Sequence, residues 1–82
     1  MSKYQPLLQY LVKSDKGLIT LSFAQIEEIL GAPLPPSAHR YPAWWGNEAS
    51  RTRTQSNAWM DAGYQTEDLN LNARTVSFRK IG

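Results

Sequence analysis

Eighty-two residues with nine Lys or Arg, seven Asp or Glu, one His and no Cys allow one small domain, spanning 1–82. Folding at this size buries roughly 60% of the surface the unfolded chain exposes, which gives one modest core and disfavours a large cofactor cavity. The lack of Cys excludes disulfides, Cys-ligated zinc, iron–sulfur clusters and thiol nucleophiles, and suits a reducing cytoplasm.

The first residues contain no apolar signal segment, and no later run approaches the ~20 apolar residues a membrane span needs. The expectation is a soluble cytoplasmic protein with no membrane partner. Pro6 suits a first helical turn, and Leu7, Leu8, Leu11 and Val12 follow at helical spacing, which predicts a helix over 5–13. The 14–17 stretch, Ser-Asp-Lys-Gly, signals a turn, and the apolar, partly β-branched residues 18–21 predict a short strand.

Ser22 and Gln25 form a capping box at the start of a second helix, with Leu21 and Ile26 as its hydrophobic staple. Phe23, Ile26, Ile29 and Leu30 make one apolar face, Gly31 supplies the stop, and Glu27 and Glu28 are expected to face solvent. The proline-rich stretch 32–50 fits no template, and a short helix over 36–41, ended by Pro42, is expected within it. Thr52 and Gln55 form a second capping box, and Gln55, Ala58, Trp59 and Ala62 then recur at helical spacing before Gly63. This predicts helix three over 53–62. Beyond Gly63 the period becomes two: Leu69 and Leu71, then Val76 and Phe78, alternate with polar residues across an Asn72-Ala73 turn, predicting a C-terminal hairpin.

The order is therefore α-β-α-(short α)-α-β-β, an α+β fold. Pairing of the 18–21 strand with the hairpin strand at 76–78, and packing of helix two on helix three as a helix-turn-helix, would make it winged-helix-like. The expected core is Leu7, Leu11, Leu21, Phe23, Ile26, Leu30, Trp59, Leu69 and Phe78.

The chain also carries Tyr4/Pro6/Leu7, Leu21/Phe23/Ile26/Glu27/Ile29/Leu30, Leu34/Pro35/Ser37/Ala38, Trp44/Trp45/Asn47 and Gln55/Ala58/Trp59. In these pieces it resembles a small bacterial and phage domain family of unknown function with Leu-Pro-x-Ser-Ala, Trp-Trp-x-Asn and Gln-x-x-Ala-Trp motifs. The chain departs from that pattern at Pro42, where a basic residue is usual, and at Tyr64, where Trp is more common. The resemblance implies a fold and a DNA-related setting, and no reaction.

The candidates for catalysis are few. Glu67 and Asp68 are neighbours in an expected strand and point to opposite faces, Glu27 and Glu28 diverge on a helix, and no Glu-x-Lys spacing of the common restriction-type nucleases occurs. His39 has no partner motif and reads as structural. No enzyme, metal site or cofactor is expected.

For binding, Arg51, Arg53, Thr54, Gln55, Ser56 and Asn57 gather donors at the start of helix three, a composition suited to phosphates and base edges, and Arg74 on the hairpin adds a wing contact. The expected function is a DNA-binding module, a regulator or a DNA-reading subunit, for double-stranded DNA, with a homodimer or partner subunit supplying further affinity. The alternative is a phage or mobile-element protein that inhibits a host defence complex. It would use a contact face of His39, Arg40, Tyr41, Trp44, Trp45 and Asn47, with one of the two tryptophans exposed.

Overall fold

The computed structural model describes residues 3–47 and 54–81. Helix α1 (Gln5–Lys13) starts behind Tyr4, whose carbonyl accepts from the N–H groups of Leu7 and Leu8. Leu7 and Leu11 are buried and Leu8 packs at the edge of the core, whereas Val12, on the same spacing, is 61% exposed.

Strand β1 (Leu18–Ser22) runs straight into helix α2 (Phe23–Leu30) through the expected capping box. Ser22 Oγ accepts from Gln25 N–H (3.1 Å), and Gln25 Oε1 accepts from Ser22 N–H (2.8 Å). Gly31 ends α2 at φ +72°, a left-handed conformation that suits glycine, and its N–H returns to the Glu27 carbonyl. Glu27 does not simply face solvent. It is half-buried and its carboxylate accepts from Leu34 N–H (2.7 Å), fastening the proline-rich connector to α2.

The connector forms a short helix α3 (Pro36–Arg40) and a 3-10 turn (Pro42–Trp45). Helix α4 (Thr54–Met60) follows. Its expected start at Arg53 lies outside the described residues, and it ends two residues before Ala62 in a turn closed by Gly63 at φ +83°.

Strands β2 (Tyr64–Asn70) and β3 (Thr75–Lys80) form the hairpin, and β1 adds to β3, giving an antiparallel sheet of order β1-β3-β2. Leu21 faces Val76 and Ile19 faces Phe78, the expected pairing. Strand β2 starts well before the alternation at Leu69. Tyr64 and Thr66 point inward there, and a polar Thr on the inner face hides the period from a reading based on hydrophobicity. Asp68 and Leu69 then share one position between the pairs Glu67–Ser77 and Asn70–Thr75, a bulge with Asp68 at φ +52°. The bulge breaks the strict alternation expected of Glu67 and Asp68, and it leaves Leu69 half-buried instead of in the core.

The core takes residues from every element, including Tyr4, Ile19, Leu34, Ala38, Trp45, Ala58, Tyr64 and Val76 beyond those expected, while Leu30 is only half-buried. Helix α1 packs on both α2 and α4, but α2 and α4 do not form the expected direct helix-turn-helix contact as a main packing pair. The reason is an inserted ring. Trp45 stacks on Phe23 of α2 (centroids 4.9 Å apart, planes at 20°) and on Trp59 of α4 (5.9 Å, 18°). No helix among the described residues is long and apolar enough to cross a membrane.

Candidate functional surface

The 3-10 turn carries both connector tryptophans, which pack among Phe23, Trp59 and Tyr4. Trp45 is 2% exposed and its Nε1 donates to the Ala38 carbonyl (2.9 Å). Trp44 is half-buried and meets Trp45 edge-on at 4.6 Å, with Tyr4 at 5.9 Å and Trp59 at 6.4 Å. The expectation that one of the pair is exposed is therefore corrected.

Asn47 stands at the surface with its carboxamide turned inward. Oδ1 accepts from Trp59 Nε1 (3.1 Å) and Thr66 N–H (2.8 Å), and Nδ2 donates to the Thr66 carbonyl (3.0 Å). The Thr66 hydroxyl lies 2.5 Å from the Trp45 carbonyl and 2.9 Å from Asn47 Oδ1. Two N–H donors already fill the two lone pairs of Oδ1, which directs the single hydroxyl proton to Trp45. One side chain thus ties the connector, α4 and β2 together.

Of the remaining expected contact residues, His39 meets Phe23 edge-on at 5.4 Å with its Nδ1 buried and without a hydrogen-bond partner. Arg40 and Tyr41 are exposed, Tyr41 by 59%. They remain accessible beside Asn47 once Trp45 and most of Trp44 are taken into the fold.

The expected DNA-contacting set divides similarly. Arg51 and Arg53 lie outside the described residues, and Thr54 opens α4. Gln55 is half-buried with Nε2 at 3.5 Å from the Trp44 carbonyl, and Asn57 is half-buried. Ser56 is fully buried, which removes it from any surface that touches a nucleic acid. Because Ala58 and Trp59 are also buried, the described part of α4 has no wide solvent-facing stripe.

Arg74 is exposed in the turn between β2 and β3. Asn70 Oδ1 accepts from Ala73 N–H (2.9 Å) inside that turn, and the Arg74 carbonyl accepts from Phe23 N–H (2.8 Å), the first amide of α2. The turn is thus fixed at both ends, with Arg74 in the left-handed region at φ +57°. The other hairpin cations differ from it. Arg79 is ion-paired with Glu67, whose hydrogen bond and charge raise the guanidinium pKa above its ordinary value, whereas Lys80 is exposed. Among the described residues no three His, Asp or Glu side chains gather to hold a metal ion.

The motif residues that converge on this aromatic layer run through nearly the whole chain, and a family profile spans the same length. The chain belongs to the family DUF7662, a domain of unknown function, which matches residues 4–82. It matches no curated protein and no solved structure.

Proposed function

We propose that this DUF7662 domain is a winged-helix-like, non-catalytic DNA-binding module that meets duplex DNA with the β2–β3 turn and the amino-terminal edge of α4. The supporting observation is Arg74, an exposed long cationic side chain in the anchored turn between β2 and β3. Holding a non-glycine residue at positive φ costs on the order of 1 kcal/mol, which glycine would avoid, and in this reading the phosphate contact of the guanidinium offsets that strain. In this reading Arg74 and Arg51 grip backbone phosphates, and Arg53, Thr54, Gln55 and Asn57 face the groove.

The second reading, a protein-interaction module, draws on Arg40 and Tyr41, the exposed remainder of the connector face. Fluorescence anisotropy with duplex DNA at low and moderate salt separates the two. The wild type is expected to bind at low salt and weaken steeply as salt rises. Arg74→Gly is expected to weaken all sequences alike and to lower the salt slope by about 1, while changing stability by no more than about 1 kcal/mol. Arg51→Ala/Arg53→Ala is expected to reduce binding further. Absence of binding at low salt, or wild-type binding by these variants, transfers the proposal to the Arg40/Tyr41 face.

A further inference from the structure

Helix α1 packs on α2, and with strand β1 the two helices leave an open cleft of about 360 Å³. Its lining is Tyr10 of α1, Leu21 of β1, and Gln25, Glu28 and Ile29 of α2. Leu21 is buried and Ile29 half-buried, so the deeper part of the cleft is apolar, while Tyr10 is 41% exposed.

Glu28 is the single charged residue in this lining. Neither its carboxylate nor the Tyr10 hydroxyl has a hydrogen-bond or ion-pair partner among the described residues. Gln25 differs from them, because its Oε1 already accepts from Ser22 N–H (2.8 Å) in the capping box. The cations on and beside α1 lie elsewhere. Lys3 Nζ stands over the Tyr4 ring, and Lys13 lines a separate cleft with Val12 and Asp61.

We propose that the cleft binds a small primary alkylammonium ion, with its ammonium group on the Glu28 carboxylate and the Tyr10 hydroxyl and its alkyl chain against Leu21 and Ile29. The volume lies at the lower end of the range of small-molecule sites. Charge decides the ligand class. An anion meets Glu28 with like charge and a neutral molecule gains only apolar burial, whereas a cation adds an ion pair with Glu28 and attraction to the Tyr10 ring. At an exposed site each of these two contacts multiplies affinity by about two to five, so the dissociation constant is on the order of millimolar.

The test is an NMR titration of the ¹⁵N-labelled protein at neutral pH and constant ionic strength with n-butylammonium chloride, and in parallel with n-butanol, sodium butyrate and sodium chloride. No cleft residue belongs to the DNA-contacting set or to the Arg40/Tyr41 face, so the outcome is independent of both readings of function. The expected result is saturable shifts of the Leu21, Gln25 and Ile29 amides with n-butylammonium, weaker binding of n-butanol, and none of butyrate. Glu28→Gln is expected to weaken n-butylammonium about two- to fivefold and to leave n-butanol unchanged. Tyr10→Leu is expected to act in the same direction, and Asp61→Asn, in the separate cleft, to bind as the wild type does. Glu28 and Tyr10 are both exposed, and circular dichroism verifies that each variant is folded. Shifts that rise linearly without saturation, n-butanol binding as tightly as n-butylammonium, or a folded Glu28→Gln that binds the cation as the wild type does, overturns the proposal.

Discussion

Asn47 shows how a residue that reads as a surface contact can hold the fold together. Its carboxamide satisfies Trp59 Nε1 and the Thr66 N–H with one oxygen and the Thr66 carbonyl with the amide nitrogen. Truncation leaves these groups to be met by water or not at all, and each buried group left unpaired costs about 1–3 kcal/mol. Asn47→Ala is therefore expected to destabilise the protein by about 2–3 kcal/mol, read as a lower urea midpoint at unchanged slope. A shift below ~0.5 kcal/mol would mean that solvent replaces the contacts and that the carboxamide is free for another role. The spacing of Trp44, Trp45 and Asn47 marks the group as unusual, but it does not reveal that the partners lie on β2 and α4, many residues away. Ser56 misleads for a related reason, since a hydroxyl in a polar helix start reads as exposed until packing encloses it.

Among the elements, α1, β1 and α2 follow from local signals, because Pro6, the Ser22/Gln25 box and Gly31 act on atoms within a few residues of themselves. Ser22→Ala removes the hydroxyl that accepts from Gln25 N–H and is expected to cost about 1 kcal/mol in thermal or urea unfolding. A cost near zero would show that Gln25, which still reaches the Ser22 amide, is sufficient by itself. The connector and β2 were less legible. Pro36 and Pro42 bound two short helical turns, but the inward direction of both tryptophans depends on Phe23 and Trp59, which supply the faces on either side of Trp45. The true start of β2 rests on Tyr64, whose hydroxyl donates to the Lys16 carbonyl at 2.8 Å and ties the hairpin to the turn after α1.

At the scale of the molecule, the aromatic layer replaces what would otherwise be a direct contact between α2 and α4. Phe23, Trp45, Trp59 and Phe78 link α2, the connector, α4 and β3 in one continuous packing path. Urea unfolding followed by tryptophan fluorescence and by far-UV circular dichroism is therefore expected to give coincident transitions. Separated transitions would show that the connector and α4 detach before the α1-β1-α2 unit unfolds. Trp45→Ala is expected to cost about 3–5 kcal/mol, much of the total stability of a small domain.

The sequence alone determined the order of elements, the capping box of α2, the pairing of β1 with the hairpin and the resemblance to a family, because these depend on short-range periodicity, turn chemistry and motif identity. Only the tertiary structure decided the rest. It placed an indole between α2 and α4, turned the Asn47 carboxamide and Ser56 inward, put the bulge at Asp68 and, among the described residues of the expected contact sets, left Arg74, Arg40 and Tyr41 exposed. Whether a polar or aromatic side chain meets solvent depends on what packs against it from distant parts of the chain, and the hydrophobic pattern of its own segment does not encode that.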